Sequence, residues 1–154
     1  MSLFNKLLKK LIIKNISVST AESCTGGLLA YSFIKNKDSS KIFKGGYITY
    51  SNEMKIKELK VRKASLEKNG AVSYQIAEEM IKGLYQRNKT NICISTTGIA
   101  GPGGATKNKP VGLIYIGIRL NNKNIIIKKN FKGTRMQIQK KCVNFIFKYL
   151  DQLI

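Results

Sequence analysis

One stretch limits the possible folds of this chain more than any other: residues 20–30, with the sequence TAESCTGGLLA. It follows a run of β-forming residues at 16–20 and leads into a helical pattern that extends to about Lys35. A strand that turns sharply into a helix is typical of α/β sheets, whose ligands bind at the carboxyl ends of the strands. The stretch therefore predicts an α/β fold with Ser23 exposed at the end of a strand.

The small residues of this turn suggest what it binds. The unpaired amides of a first helical turn around Thr25, Gly26 and Gly27 would face an anion, and Thr25 would add a hydroxyl donor. This favours a nucleophile, Ser23, beside a phosphate cradle. The alternative from the same residues is a plain N-cap, in which Ser23 or Thr25 closes the helix and the glycines fit a tight corner.

The rest of the chain alternates between helical and β-type patterns without an internal repeat. Further strands are predicted at 43–50, 91–97, 111–120 and 125–131, the last two forming a hairpin around 121–124. Helices are predicted at 3–14, from a cap at Asn52, at 64–68, from a cap at Ser73 to about Arg87, and from about Arg135 onward. This order predicts a three-layer sandwich with a mixed central sheet, helices on both faces, and one domain over 1–154.

The composition excludes several kinds of active site. The 154 residues include no histidine, which removes Ser-His-Asp and Cys-His catalysis. The three cysteines, Cys24, Cys93 and Cys142, are too widely spaced for a disulfide framework or a zinc knuckle, and the eight acidic residues show no paired spacing. No metal site or cofactor is therefore expected. A nucleophile in this chain would need a lysine, a tyrosine or an isolated carboxylate as its base.

Lys55 is the candidate base. If Asn52 caps the following helix, Lys55 stands at its third position and faces the positive end of the helix dipole. The ammonium is disfavoured there, and Lys57 and Lys60 add to the effect, so the pKa of Lys55 should fall as a catalytic lysine requires. The alternative is an ordinary surface lysine.

The net charge of +20 is compatible with several partners. Its lysines are spread along the whole chain, which indicates a solvated surface more than a nucleic-acid site, although the positive field would attract phosphorylated substrates. No apolar run reaches the roughly 18 residues of a membrane span, and lysines interrupt the N-terminal apolar residues, so neither a membrane partner nor secretion is expected. The cytoplasm is the expected compartment.

A second glycine-rich loop, residues 98–104 (GIAGPGG), follows the predicted strand 91–97. Two glycine loops after two strands predict a two-sided ligand cleft. Arg135, near the start of the last helix, could form a bidentate contact with a phosphate or carboxylate, or it could be a solvated arginine. Cys24 is a rival nucleophile to Ser23, but we expect it to pack inside the cleft wall.

Several segments together resemble the CinA C-terminal-domain family, whose characterised members include nicotinamide mononucleotide (NMN) deamidases. The match runs in order over about residues 5–150. The matching segments are residues 21–27 (AESCTGG), 50–55 (YSNEMK), 70–73 (GAVS), 97–102 (TGIAGP) and 109–112 (KPVG).

The resemblance implies hydrolysis of the carboxamide of NMN to nicotinate mononucleotide and ammonia. Its catalytic residues would be Ser23 as nucleophile, Lys55 as base, Tyr50 as a proton relay to the leaving ammonia, and Thr97, although Thr96 could take the place of Thr97. The implied substrate-binding residues are Thr25, Gly26, Gly27, Gly98, Ala100, Gly101 and Arg135.

Three further expectations accompany this resemblance. Glu22 should point away from Lys55, into backbone contacts, because an ion pair would keep the amine charged. Thr134 stands where many relatives have an acid or another polar residue, next to Arg135, for which the resemblance implies a phosphate-binding role. A homo-oligomer such as a dimer is expected. The alternatives are a basic module that binds nucleic acid and a catalytically silent, competence-related homologue.

Overall fold

The computed structural model describes all 154 residues and contains six α-helices around one sheet of five strands. The helices are α1 (Leu3–Ile13), α2 (Leu28–Ile34), α3 (Asn52–Leu59), α4 (Lys63–Asn69), α5 (Tyr74–Asn88) and α6 (Arg135–Leu153). The strands are β1 (Val18–Glu22), β2 (Phe43–Ile48), β3 (Ile92–Gly98), β4 (Leu113–Leu120) and β5 (Lys123–Asn130). One 3-10 turn, Ser39–Lys41, precedes β2.

The sheet is mixed, as predicted, with the strand order β2-β1-β3-β4-β5. β1 pairs in parallel with both β2 and β3, whereas β4 is antiparallel to β3 and to β5. All five residues of β1 are buried, as expected of a strand that has neighbours on both sides and helices on both faces. Because β1, β2 and β3 run the same way, the loops that follow them meet at one edge of the sheet.

Two apolar clusters separate the layers and confirm the three-layer sandwich. One lies between the sheet and α1, α2 and α6, and includes Leu11, Phe33 and Ile146. The other lies between the sheet and α3, α4 and α5, and includes Met80 and Leu84. Burial of each such side chain contributes about 1.5–3 kcal/mol. None of the helices combines the length and the apolar character that crossing a bilayer would require.

Several boundaries differ from the predicted ones. β1 begins at Val18 and runs to Glu22, because the residues from Ser19 onward pair in register with both neighbouring strands. The N-cap of α3 is Ser51, not Asn52, since the Ser51 hydroxyl accepts the Met54 amide at 3.1 Å. Lys55 is consequently the fourth residue of α3 and not the third.

Other local predictions are confirmed. Ser73 is the N-cap of α5, with its hydroxyl accepting the Ile76 amide at 3.3 Å. The predicted hairpin between β4 and β5 forms, but its turn is shorter than the predicted 121–124 and contains only Asn121 and Asn122, because β5 already starts at Lys123. Asn121 adopts a φ of 55°, which asparagine tolerates better than most residues. The helix after β1 starts at Leu28, and its N-cap is Gly27 with a φ of 100°, so neither Ser23 nor Thr25 caps it.

Candidate active site

The loops after β1, β2 and β3 enclose a cavity of about 260 Å³ at the carboxyl edge of the sheet. It contains seven of the residues predicted from the sequence: Ser23, Tyr50, Lys55, Thr97, Gly98, Ala100 and Arg135. Cys24, Asn52, Ala71 and Val72 complete the lining. Thr25, Gly26, Gly27 and Gly101 are not among the lining residues. The topology thus gathers residues from segments far apart in the chain.

Ser23 and Lys55 are in direct contact inside this cavity. The Lys55 Nζ lies 3.1 Å from the Ser23 Oγ, and it donates hydrogen bonds to the carbonyls of Thr49 at 3.0 Å and Tyr50 at 3.2 Å. A neutral amine has two hydrogens and one lone pair. In its charged form Nζ also donates a hydrogen to the Ser23 Oγ. Once that proton is lost and the two remaining hydrogens stay on the two carbonyls, the lone pair faces the hydroxyl of Ser23, which is the geometry of a general base.

Burial makes that neutral amine easier to form. Lys55 is only 1% exposed, and this burial lowers the pKa of its ammonium from 10.5 to about 8. Burial penalises the charged form because the low-dielectric interior replaces water. The sequence predicted the direction of this shift, but it assigned the cause to the helix dipole, whereas burial is the dominant cause in the structure.

Glu22 takes no part in the Lys55 contacts. Its carboxylate accepts hydrogen bonds from the Thr25 hydroxyl at 2.6 Å, the Leu29 amide at 2.8 Å and the Ala30 amide at 3.0 Å. This confirms the expectation that Glu22 points into backbone contacts. It also corrects the predicted phosphate cradle, since an internal carboxylate already occupies the first turn of α2, where an external anion was expected.

Thr25, Gly26 and Gly27 consequently line a different cavity, of about 450 Å³, between the starts of α2 and α6. The Thr25 hydroxyl is buried between Glu22 and Thr96, with a distance of 2.8 Å between the Thr25 and Thr96 hydroxyl oxygens. Its side chain therefore has no free group to offer to a substrate at Ser23.

The two threonines at the end of β3 have different surroundings. Thr97 lines the cavity and donates from its hydroxyl to the Ala71 carbonyl at 2.7 Å. Thr96 contacts Thr25, since successive side chains of a strand point to opposite faces. Of the two hydroxyls considered from the sequence, the structure places Thr97 at the cavity.

Arg135 crosses the mouth of the cavity. Its guanidinium donates to the Gly101 carbonyl at 2.6 Å and to the Tyr50 hydroxyl at 3.2 Å. Arg135 is the first residue of α6, whose N-cap is Thr134 in a capping box with Gln137. Gly101, predicted to bind substrate, instead holds Arg135, and a Cβ at its φ of 84° would collide with Val111. Thr134 thus has a structural role that fixes the position of Arg135.

Several backbone amides in the loops after β1 and β3 have no backbone acceptor. They include the amides of Cys24 and Ala100, together with those of Thr25 and Gly101. An amide directly after a nucleophile is a common component of an oxyanion hole. The Cys24 amide lies in the turn that follows Ser23, and the Ala100 amide lies in the loop that follows β3.

Comparison with known proteins identifies the family. The model of the CinA C-terminal domain matches residues 1–154. The chain belongs to the CinA C-terminal-domain family. It is 52% identical over 130 residues to a CinA-like protein of Fusobacterium nucleatum, an alignment that covers 84% of the chain and 31% of that protein. The chain spans about a third of the length of the curated relatives it matches.

Solved structures of CinA proteins share the fold over nearly the whole chain. A CinA superfamily protein of Escherichia coli has a TM-score of 0.94 at 32% identity, with coverage of 99% of this chain and 88% of the other. A competence/damage inducible protein, CihA, of Agrobacterium tumefaciens has a TM-score of 0.91 at 33% identity, with coverage of 99% and 96%. The three-layer arrangement is therefore that of the CinA superfamily.

Cys24 packs into the wall of this CinA domain, as expected. It is 4% exposed, its carbonyl accepts the Gln139 side-chain amide at 3.0 Å, and burial raises the pKa of its thiol to about 12. A thiol with so high a pKa carries almost no thiolate at neutral pH, and the thiolate is the nucleophilic form. Burial therefore disfavours Cys24 as a thiolate, whereas Ser23 has the amine of Lys55 at 3.1 Å as a candidate base.

Three cavity residues were not proposed from the sequence as site residues. Asn52 was interpreted as a helix cap, and Ala71 and Val72 lie outside the predicted helices and strands. The only available signal was their position inside the matching segments 50–55 and 70–73. The structure shows that Ala71 and Val72 contribute apolar residues to the cavity lining, while Asn52 contributes a polar one.

Proposed function

We propose that this CinA domain hydrolyses the carboxamide of NMN, giving nicotinate mononucleotide and ammonia through a Ser-Lys mechanism. The observation that carries the proposal is the 3.1 Å contact between Lys55 Nζ and Ser23 Oγ, with the same Nζ held by two backbone carbonyls. That arrangement supplies a base for serine in a chain that has no histidine.

Acylation begins when neutral Lys55 takes the proton of the Ser23 hydroxyl. The Oγ–C bond to the carboxamide carbon forms, and the carbonyl π electrons move onto the oxygen. The amides of Cys24 and Ala100 stabilise this oxyanion, and one such donor is commonly worth about 10²–10³ in rate. When the tetrahedral intermediate collapses, the C–N bond breaks, and the nitrogen takes the proton from Lys55 and leaves as ammonia.

Deacylation repeats the same proton transfers with water. Lys55, neutral again, accepts a proton from water as the new O–C bond forms, and the Oγ–C bond then breaks as the proton returns to Ser23. In this scheme Lys55 shuttles both protons. The Tyr50 hydroxyl accepts from Arg135 at the cavity mouth, which supports a role for Tyr50 in holding Arg135 more directly than the proton relay implied by the resemblance.

The cavity supports a substrate with a small ring and an anionic tail. Its volume of about 260 Å³ lies just below the ~300–1,000 Å³ typical of small-molecule sites, which suits a ring that enters while the rest of a nucleotide extends outward. Ala71 and Val72 would contact the ring. Arg135 at the mouth is the cation best placed to bind the phosphate, because the carboxylate of Glu22 already occupies the start of α2.

Ammonia release from NMN by the purified domain tests this proposal. We expect turnover by the unchanged protein, loss of turnover in Ser23→Ala and in Lys55→Ala, and retained turnover in Cys24→Ala and in the presence of a chelator. An unchanged rate in either of the first two variants would remove that residue from the chemistry. Thiol alkylation that stops turnover, while Ser23→Ala keeps it, would assign the nucleophile to Cys24.

A further inference from the structure

We propose that Glu22 is a positioning residue of this site, which holds Ser23 through its side chain and Lys55 through its backbone carbonyl. The inference rests on the proposed Ser-Lys chemistry and adds a residue that touches neither the substrate nor the reacting atoms. Glu22 is the last residue of β1 and directly precedes the nucleophile. It is 1% exposed, and it is absent from the cavity lining.

The side chain of Glu22 fixes the turn after β1. Its two oxygens accept three hydrogen bonds, from the Thr25 hydroxyl on the turn and from the Leu29 and Ala30 amides of α2. Thr25 continues the network to Thr96 on β3. The carbonyl of Thr96 accepts the amide of Ser23 at 3.0 Å. The network therefore encloses Ser23, connecting the residues on both of its sides to β3.

The backbone carbonyl of Glu22 fixes the base. It accepts the Thr49 amide at 2.8 Å, and the Thr49 carbonyl accepts a hydrogen of Lys55 Nζ at 3.0 Å. Two hydrogen bonds thus connect Glu22 to the amine. A shift of the end of β1 would move the nucleophile and the base relative to each other, and displacements of about 1 Å can cost about 10²-fold in rate.

The chemistry of these donors calls for a carboxylate. All three groups that face Glu22 donate hydrogens, and a carboxylate only accepts them. A glutamine of the same size would present one acceptor oxygen and one NH₂ group, so a donor would face a donor inside a buried site. Such unpaired buried groups are costly, and the turn would move to relieve the mismatch.

Covalent labelling of Ser23 tests the inference independently of the substrate. Phenylmethanesulfonyl fluoride sulfonylates activated serines with release of fluoride, and mass spectrometry with peptide mapping gives the rate at Ser23. The variants are Glu22→Gln and the milder Thr25→Val, which keeps the side-chain shape but removes the bond to Glu22. Glu79→Gln is the matched control, because the Glu79 carboxylate also accepts a backbone amide, that of Arg62 at 2.9 Å, outside the cavity.

We expect Glu22→Gln to slow labelling about 10- to 100-fold. In turnover of NMN the loss should fall on kcat with KM little changed. Thr25→Val should show a smaller loss, about tenfold. The double variant should lose less than the product of the two single losses, because both substitutions break the same network. Glu79→Gln should label at the unchanged rate even if its unfolding temperature falls.

The opposite results overturn the inference. If Glu22→Gln and Thr25→Val fold and label Ser23 at the unchanged rate, the network stabilises the fold without positioning the site. If Glu79→Gln slows labelling as much as Glu22→Gln, the effect belongs to stability. Failure of the unchanged protein to label at Ser23 would overturn the Ser-Lys proposal together with this one. Normal labelling without ammonia release would overturn only the choice of NMN, and labelling would still read out the role of Glu22.

Discussion

One buried ionisable residue lies on each side of Ser23, and the two residues have different hydrogen-bond partners. On the α2 side, Glu22 is 1% exposed, and its carboxylate accepts three hydrogen bonds from fixed donors. On the α3 side, Lys55 is equally buried, but its amine contacts two carbonyls and the hydroxyl of Ser23, and it lines the cavity. Equal burial thus gives a closed network on one side and a reactive group on the other.

The difference lies in the groups that surround each ionisable side chain. Glu22 meets hydrogen-bond donors that stabilise a carboxylate. Lys55 meets neutral carbonyls and no carboxylate, so nothing of opposite charge offsets the loss of water around its ammonium. Burial therefore lowers the pKa of Lys55 to about 8, near the working range of a general base. A carboxylate in place of either carbonyl would keep the amine charged and end the contrast between the two sides.

The largest expected effect comes from making the base permanently charged. Lys55→Arg keeps a cation on α3, but a guanidinium does not release its proton near neutral pH. We expect ammonia release to fall by about 10²–10⁴-fold, the usual contribution of a general base. Lys57→Arg, at an exposed position of the same helix, is the control and should keep the unchanged rate. Comparable turnover in both variants would show that no base is needed at Lys55.

The second effect is on stability. Lys55 loses its proton at about pH 8 in the folded protein and at about 10.5 in the unfolded chain, so between these pH values the unfolded state binds more protons and the free energy of unfolding rises with pH. The full rise from this group is about 3 kcal/mol. Lys55→Met removes it, so the gain in stability from this substitution should be about 3 kcal/mol larger at pH 7 than at pH 10.5.

Urea unfolding of both proteins at the two pH values measures this difference. The comparison across pH cancels the hydrogen bonds that methionine also loses, because those do not titrate. A difference that is the same at both pH values would mean that the pKa of Lys55 is not lowered by folding. In that case the contrast between Lys55 and Glu22 would have no electrostatic basis.

The contrast between the surroundings of Glu22 and those of Lys55 could be only partly predicted from the sequence. Strand and helix patterns predicted the three layers. The absence of histidine left a lysine, a tyrosine or a carboxylate as the base, and the position of Lys55 near a predicted helix start, together with the resemblance, pointed to Lys55 as the partner of Ser23. Which anion occupies the start of α2 could not be predicted. The pattern 20–30 is compatible with an external phosphate or an internal carboxylate, and only the extension of β1 to Glu22 places that carboxylate at the amides of Leu29 and Ala30.

For the residues that line the cavity, too, the sequence alone could not predict which ones belong to the site. Thr96 and Thr97 are equivalent in the sequence, and the choice between them depends on which face of β3 each occupies. Ala71 and Val72 carry no chemical signal at all, since apolar residues in a loop match many roles. They are part of the site because β1 and β3 are neighbours in the sheet, and because the loop before α5 lines the same cavity as the ends of these two strands.

A third effect is on the pH dependence of turnover. Because the neutral amine is the active form, kcat/KM should rise about tenfold per pH unit below the pKa of Lys55 and level off above about pH 8. A pH series with NMN measures the profile. Glu22→Gln sharpens the test, because it should lower the plateau while leaving the midpoint in place. A flat profile between pH 6 and 8 would mean that another group accepts the proton.

A smaller effect is expected at the mouth of the cavity. Tyr50→Phe removes only the hydroxyl that accepts from Arg135, and Tyr50 is otherwise 63% exposed. If this hydroxyl holds Arg135, the variant should raise KM for NMN about three- to tenfold and leave kcat nearly unchanged, the loss of one hydrogen bond. A loss of about 10² in kcat with KM unchanged would instead assign Tyr50 the proton relay.

The smallest effect on turnover is expected from substitution of Cys24, the residue that directly follows Ser23. Its thiol is buried with a pKa raised to about 12, while its backbone amide is a candidate oxyanion donor. Cys24→Ala removes the thiol and keeps the amide, so ammonia release should change by less than about threefold, with a loss of stability of about 1 kcal/mol from the packing. A large loss of rate with normal folding would show that the side chain takes part. Cys24→Ser would then separate the two causes: a hydroxyl that restores the rate indicates a polar contact, and failure to restore it indicates a thiol that reacts.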